Sequence, residues 1–446
     1  MSSKTAWLTL SEIVEDIIDR RGVTPLKLGG DFCDAGHRVI SAKVLKNRKI
    51  DLDADEARYV DSAIYKKWMK SPLQKDDVLM TSEAPLGELA YLNKDTDWVL
   101  GQRLFAIRPK KSVMSGRFLY YVLQTQNVRA DIFGRASGTT VQGIRQAELR
   151  MVKVPVPPMP QQLAVSDFLG NIDDRISLLN ETAATLEGIA LAIFKCWFLD
   201  FEPVRAKVDG QTVEGLDKSS AELFPNSFQS KNDTAIPEGW SVKTMGEVSS
   251  VGIGKTPPRK EQQWFSSNAS DVRWASIRDM GYYKVFATKT NEYLTKLAID
   301  KFNVRVVPDN TTLMSFKMTI GRLAITDGEM ATNEAIAHFK LEKNSVLTSE
   351  YIYLHLKHFD FSSLSSTSSI ADAVNSKTVR EIPILVPDKR VVELFQNRIA
   401  PIFSSIKNIT SEIETLTNIR DTLLSRLISG DLQIALDNET LESFAD

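Results

Sequence analysis

Two stretches of this chain place an apolar residue at alternating steps of four and three. In the first, the positions are Val165, Leu169, Ile172, Ile176, Leu179, Ala183, Leu186, Ala190, Ile193 and Trp197. In the second they are Val392, Phe395, Ile399, Ile402, Ile406, Ile409, Ile413, Leu416, Leu423 and Leu427, with Arg420 breaking the alternation. That spacing is the seam of a coiled coil. It predicts two helices of roughly 40 residues, each about 60 Å long at 1.5 Å per residue. The first should open near Pro160, a good first-turn residue. The second should be capped by Asp388 and stop near Gly430, with Pro401 bending it. Helices of this length cannot bury a seam on one compact domain, so they are expected to pair with each other. The pairing positions are Ile172, Leu179, Leu186, Ile193, Ile399, Ile406, Ile413 and Leu423. Packing of the helices into separate bundles is the alternative.

The rest of the chain repeats itself. Trp7 matches Trp240, Gly22-Val23-Thr24-Pro25 matches Gly254-Lys255-Thr256-Pro257, and Tyr59 matches Tyr293. Val78-Leu79-Met80-Thr81 aligns with Thr312-Leu313-Met314-Ser315, and Gly87-Glu88-Leu89-Ala90 with Gly321-Arg322-Leu323-Ala324. Leu119 to Leu123, Val154-Pro155 and Phe168 follow with Ile352 to Leu356, Ile382-Pro383 and Phe395. Eight matches in one order outweigh chance recurrence of short apolar patterns. Each half shows mixed structure, with short strands at Val78-Leu79-Met80 and Leu89-Ala90-Tyr91-Leu92 and a helix over 116–126 in the first. A proline-rich hinge closes each half, Val154-Pro155-Val156-Pro157-Pro158 or Ile382-Pro383-Ile384-Leu385-Val386-Pro387, before the long helix. The predicted fold class is α/β (mixed α+β). Two similar globular domains, 1–158 and 239–387, are joined by two long antiparallel coiled-coil helices, 159–201 and 388–430, with a pseudo-two-fold internal repeat. Residues 202–238 form a polar linker and 431–446 a tail.

Composition narrows the function classes. Hydrophobic content of 43% and charged content of 25% are those of an ordinary globular protein. No run of apolar residues approaches the roughly 18 of a membrane span, and Met1 to Trp7 lacks the apolar core of a signal peptide. Cys33 and Cys196 give neither a disulfide framework nor a zinc pattern. The expected location is cytoplasmic. A net charge of −2 is not that of a basic nucleic-acid binder, but the charge is uneven. Acids dominate Gln161 to Asp200, while bases cluster at Arg20-Arg21, Lys46-Asn47-Arg48-Lys49, Lys66-Lys67 with Lys70, Lys110-Lys111 and Arg259-Lys260. Local positive surface is what meets phosphate.

Catalytic motifs are missing. No Glu-x-Lys or Asp-x-Lys tripeptide occurs, so a metal-nuclease cluster lacks its last element. No Asn or Asp precedes a Pro-Pro pair, so the loop that handles a flipped adenine in methyltransferases is absent. Gly252-Ile253-Gly254-Lys255-Thr256 imitates a phosphate-binding loop, but Ser249 stands where the motif needs glycine and Pro257-Pro258 follows where a helix should open. A turn anchored by glycine and proline is the better reading. His355 and His358 lie three apart on a predicted helix without a third ligand, so a metal site is not expected.

Several local signatures resemble those of one family, the specificity subunits of type I restriction-modification enzymes. They are Gly22-Val23-Thr24-Pro25 with its second copy, Ser137-Gly138-Thr139-Thr140-Val141-Gln142-Gly143-Ile144, Pro158-Met159-Pro160-Gln161-Gln162 with Ile172-Asp173, and Phe194 to Phe201. The second half departs from the pattern at Asp388-Lys389 and in the loop Ser365 to Asn375. The resemblance implies two target-recognition domains, each reading one half of a bipartite site in double-stranded DNA, and paired helices that set the gap between half-sites. It implies two methyltransferase subunits using S-adenosylmethionine and motor-nuclease subunits using ATP and Mg, with no cofactor, metal or catalysis on this chain. Arg and Lys supply salt-dependent phosphate affinity, and polar loop residues read base edges. Candidates in the first domain are Lys46, Arg48, Lys49, Gln102, Arg103, Arg135, Thr139, Thr140, Gln142 and Arg145. In the second they are Lys255, Arg259, Arg278, Lys317, Arg322 and Lys377. Two competing readings are a coiled-coil scaffold that binds proteins without reading DNA, and an enzyme whose motif is unfamiliar.

Overall fold

The computed structural model describes residues 5–435, apart from 47, 139, 214, 232–233 and 365–373. Thr139, most of the loop Ser365 to Asn375 and the end of the tail therefore lie outside the described residues. The chain divides into two compact units, Met1–Ser177 with Thr415–Asp446, and Leu178–Glu414. The division falls within both long helices, so each unit owns one segment of each.

In the first unit, strands Val14–Asp19, Leu104–Pro109, Val78–Thr81 and Leu89–Tyr91 form a four-stranded sheet in that order. Side chains alternate across a strand, and here both faces are covered. Val78 and Met80 enter one core with Phe105, Ile107 and Phe118, while Leu79 enters another with Leu104, Ala106 and Trp68. That is why these strands read as continuous apolar runs. A second sheet orders Tyr59–Val60, His37–Ile40 and Val99–Leu100, the last two parallel. The helix expected over 116–126 is two helices, Gly116–Val122 and Gln126–Gly134. Thr125 separates them and turns its hydroxyl onto the Val122 carbonyl at 2.7 Å.

The second unit repeats the plan. Strands Ser250–Ile253, Ile336–Lys340, Thr312–Ser315, Leu323–Thr326 and Phe286–Ala287 form the main sheet. A further five-stranded sheet contains the parallel pair Val272–Ala275 and Met330–Thr332. Leu313 and Met314 again point into different cores. The stretch 202–238 is more structured than a polar linker. It holds helices Glu202–Val208 and Lys218–Glu222 and an antiparallel pair, Phe228–Lys231 with Thr234–Pro237.

The long helices run Met159–Phe198 and Lys389–Ser429. Asp388 caps the second, accepting from the Arg390 amide at 2.9 Å, and the helix continues through Pro401 to Gly430, which has φ +82°. In each unit the two segments are antiparallel. In the first, Val165 and Leu169 share a core with Leu424, Leu427 and Ile428. In the second, Phe194, Trp197 and Phe198 pack on Phe395, with ring centroids 4.9–6.0 Å apart. Among the expected pairing positions, Leu179, Ile399 and Ile406 are buried, while Ile172, Leu186, Ile193, Ile413 and Leu423 are half-buried. Phe194, Phe198, Phe403, Leu424 and Ile428, beside the seam, are the more buried neighbours, because near its ends each helix also packs on the body of its unit. The stretch Met159–Val208 is long and apolar enough to cross a membrane by length and composition. A search for unbroken apolar runs does not register this, because polar residues are dispersed along it. Three acids of this helix are anchors: Asp174 pairs with Arg117 at 3.0 Å, Asp173 accepts from Tyr121 at 2.7 Å, and Glu187 accepts from Tyr353 at 2.7 Å.

The repeat is real, but its register at the ends needs correction. Thr9 and Glu12 form a capping box that Thr244 and Glu247 reproduce. The strand before each box pairs with the hinge, Thr9 opposite Lys153 and Thr244 opposite Pro383. Trp7 is therefore the counterpart of Val242, and both are exposed, whereas Trp240 is buried. Val152 and Ile382 accept from Leu10 and Met245 at 2.8 and 2.9 Å, which makes Pro155 the counterpart of Leu385. By the same register Leu169 corresponds to Ile399, and Phe168, which is 41% exposed, does not correspond to the buried Phe395. Residue identity favours the other pairing, but backbone hydrogen bonds set the equivalence.

Candidate nucleic-acid interface

In each unit the same tight loop leaves the central strand. Gly87 donates its amide to the Thr81 carbonyl at 3.0 Å, and Gly321 donates to Ser315 at 3.0 Å. The Thr81 and Ser315 hydroxyls cap the two loops from inside, accepting from the amides of Glu88 at 2.8 Å and Arg322 at 3.0 Å. Gly87 and Gly321 have φ +81° and +84°, left-handed values that glycine adopts without steric cost. A second loop runs alongside. Ser82 donates to the Arg103 carbonyl at 2.9 Å, as Phe316 does to Ala335 at 2.9 Å. Gly101 and Asn333 are held in turn by Ile40 and Ala275. These bonds fix Lys317 as the counterpart of Glu83, and Glu334 as the counterpart of Gln102.

Further segments complete the rim in the first unit. Ser137 and Gly143 exchange two backbone hydrogen bonds at 2.9 Å, closing the loop that carries Thr140 and Gln142, both exposed. Ile144 then donates to the Ser82 carbonyl at 3.0 Å, pinning that loop to the first. Gln102, Arg103, Thr140, Gln142 and Arg145 thus come together at one end of the unit, all exposed. Beside them a cavity of about 300 Å³ is lined by Thr24, Pro25, Phe32, Lys43, Asp55, Arg58, Trp68, Gln102 and Arg103. Burial disfavours the Asp55 carboxylate, but hydrogen bonds from Ser41 and Lys43 outweigh it and hold the group below the usual carboxylate range. Arg21 is engaged by Asp19 and by the Ile144 carbonyl. Its hydrogen bonds to Asp19 outweigh the desolvation cost and keep the guanidinium firmly charged.

The other first-unit candidates sit elsewhere. Arg48 pairs with Asp421 at 2.7 Å and Lys49 donates to Ser177 at 3.1 Å, so both reach toward the long-helix segments. Lys46 is exposed on the short strand beside them. Arg135 is held by Asp131 at 2.7 Å and Glu148 at 3.5 Å. In the second unit, Lys255, Lys317 and Arg278 are exposed, and Arg322 donates to the carbonyl of Ile277, next to Arg278, at 3.2 Å. Arg259 pairs with Glu292 at 2.8 Å and stacks on Phe265 and Trp274 at 4.3 and 4.5 Å. Lys377 faces Glu381 at 3.8 Å.

The glycines of the phosphate-loop lookalike serve close packing. A Cβ on Gly254 would strike the carbonyls of Thr332 and Asn333, and one on Gly252 would strike the His338 ring. His355 and His358 are also structural: their Nε2 atoms lie 2.8 and 3.2 Å from the carbonyls of Pro383 and Leu191. Among the described residues no three His, Cys, Asp or Glu side chains gather to hold a metal. Sequence reasoning missed Glu83, Arg58 and Glu334. Nothing local marks Glu83 and Arg103 as neighbours, because strand pairing across the central sheet brings them together.

The family model described as type I restriction modification DNA specificity domain matches residues 8–188 and 237–423. The chain is 26% identical over 415 residues to the type I restriction enzyme HindI specificity subunit of Haemophilus influenzae, covering 81% of this chain and 88% of that one. It is 25% identical over 369 residues to the MjaIX specificity subunit of Methanocaldococcus jannaschii, covering 81% and 78%. Among solved structures, the S subunit of a type I restriction-modification system from M. genitalium shares the fold, with a TM-score of 0.50 at 14% identity over 95% of this chain and 96% of that one. The two matched segments each contain one copy of the rim, and together they span most of the sequence: this chain belongs to the family of type I restriction-modification DNA specificity proteins.

Proposed function

We propose that this chain is the DNA-reading subunit of a type I restriction-modification complex, with each unit reading one half of a bipartite duplex site. The observation that carries this reading is the duplicated rim: one backbone hydrogen-bond scheme, built twice, displaying different polar side chains each time. A fixed frame with variable exposed donors and acceptors is what base-edge readout requires. Lys255, Lys317, Arg278 and Arg145 supply phosphate affinity, which falls as salt rises. The paired helices fix the gap between half-sites and carry the docking surface for two methyltransferase subunits, with motor-nuclease subunits joining for cleavage. Adenine methylation needs a base taken out of the stack. A partner performs that step with S-adenosylmethionine while this chain holds the duplex, and ATP and Mg serve the motor-nuclease subunits. The chain itself carries no bond-making chemistry and works in the cytoplasm.

The test is a genome-wide adenine-methylation map of a host that expresses the methyltransferase subunits with and without this chain. The expected result is one bipartite motif that appears only with the chain. Methylation that is identical without it, or methyl transfer by the purified chain alone, would overturn the reading.

A further inference from the structure

The two rims carry opposite charge at one matching position, Glu83 and Lys317, and a different charge at another. In the first, Glu83 stands on the loop after the central strand and Arg103 on its neighbour. In the second, Lys317 replaces the acid, and Glu334, counterpart of Gln102, brings a carboxylate to the neighbouring loop. Arg103 is 54% exposed and its Nε lies 3.1 Å from Glu83 Oε1. Its φ of +64° is a left-handed value that the Ser82 hydrogen bond holds in place. Glu83 pairs with the Nε side of the guanidinium, and among the described residues no hydrogen bond engages its two terminal nitrogens. Glu334 is exposed, and one of its oxygens accepts from the Thr256 hydroxyl, which leaves the other as an acceptor.

We infer that Arg103, aimed by Glu83, reads a guanine in one half-site, and that Glu334, aimed by Thr256, reads a cytosine in the other. An arginine fork matches the two acceptors of guanine in the major groove, and a carboxylate oxygen accepts from the cytosine amino group. An acid or hydroxyl that fixes the reading side chain leaves less motion to freeze on binding. This inference rests on the function proposed above and adds which base each rim demands. Glu83 and Thr256 are positioning residues.

The experiment maps methylated motifs in cells expressing the full chain with its methyltransferase subunits. Arg103→Gln removes the guanidinium and puts in its place an amide that pairs with adenine. One base pair of one half-site should lose its guanine requirement, with discrimination falling roughly 5- to 150-fold, the range a bidentate contact supplies. The other half-site should not change. Glu83→Gln should relax the same base pair less. Glu334→Gln should shift one position of the opposite half-site from cytosine toward adenine, the base that a glutamine amide pairs with. Competition between duplexes differing at that base pair, measured on the purified complex carrying Arg103→Ala, separates a change of preference from a loss of folded protein. An unchanged motif in Arg103→Gln, or a uniform loss with the motif preserved, makes Arg103 a phosphate contact and overturns the assignment. No bipartite motif even with the unaltered chain would instead overturn the function on which it rests.

Discussion

Arg420 Nη1 of the second long helix lies 2.7 Å from Asp173 Oδ1 of the first. The arginine that breaks the apolar seam is therefore its polar lock. Its side chain is 10% exposed, Asp421 bonds it as well at 2.9 Å, and Asp173 also accepts from Tyr121. Removing Arg420 leaves the half-buried Asp173 carboxylate with Tyr121 as its remaining partner. Arg420→Ala is expected to destabilise the first unit by about 1–3 kcal/mol. Arg420→Leu with Asp173→Asn should cost less, because no uncompensated charge remains. Urea unfolding followed by tryptophan fluorescence measures both.

The corrected register makes neighbours in sequence unequal. Leu169 is fully buried, whereas Phe168 is 41% exposed. Leu169→Ala should cost about 2–5 kcal/mol. Phe168→Ala should stay within about 0.5 kcal/mol, as surface changes do. Equal losses in thermal melts would restore the equivalence of Phe168 with Phe395.

His338 gives the second unit a pH dependence. Burial, with Arg305 nearby, lowers its pKa from 6.5 to about 4. Between those values the unfolded chain holds a proton that the folded chain does not, so stability rises with pH across this window. It is fully present above pH 6.5 and is lost as pH falls toward 4. The slope from one such group approaches about 1.4 kcal/mol per pH unit. Stability measured from pH 4 to 7 should show it, and His338→Leu should reduce it. His355, also lowered to about 4 by burial, supplies part of the remainder. A slope unchanged in His338→Leu would mean that the ring is charged in the folded protein.

Glycines in the matching motifs should respond differently. Gly22 has φ +79° and open space around it, so Gly22→Ala should cost about 1–2 kcal/mol from backbone conformation. Gly254→Ala would drive a methyl group into two carbonyls and should cost more, because strand Met330–Thr332 must shift. Thermal melts of the two variants rank them.

If the helices fix the gap, lengthening both lengthens it. One heptad inserted after Thr182 and another after Thr410 preserves the seam. The gap should grow by roughly three base pairs, from about 10 Å of added helix and about 3.4 Å per base pair. The half-site sequences should stay the same. A methylation map reads both, and an unchanged gap in an active variant would separate helix length from spacing.

The seam and the duplication were legible because both rest on periodic or repeated apolar residues. The exact register was less so, although its signal was present: Thr9-Leu10-Ser11-Glu12 and Thr244-Met245-Gly246-Glu247 are capping boxes. Matching those would have aligned Trp7 with Val242. The candidate site was half legible. Gln102, Arg103, Thr140, Gln142 and Arg145 share a rim, while Arg48, Lys49 and Arg135 lie elsewhere on the unit, against Asp421, Ser177 and Asp131. A basic residue looks alike in sequence whether it faces a carboxylate of its own chain or solvent. Glu83 and Glu334 were passed over because acids seldom suggest contact with a polyanion.

The strand Ala6–Thr9 lies against Lys153–Val156, and Ser241–Thr244 against Pro383–Val386. The polypeptide thus enters and leaves each body of about 150 residues through adjacent, antiparallel strands held by backbone hydrogen bonds, which do not depend on side-chain identity. Such a body is a cassette. What lies between the two strands can be replaced by another sequence that closes on the same pair and keeps the contacts to the helices, such as Tyr121 on Asp173 or Tyr353 on Glu187. A new half-site specificity then arises by exchanging one segment of gene between two fixed splice points, without rebuilding the rest of the protein.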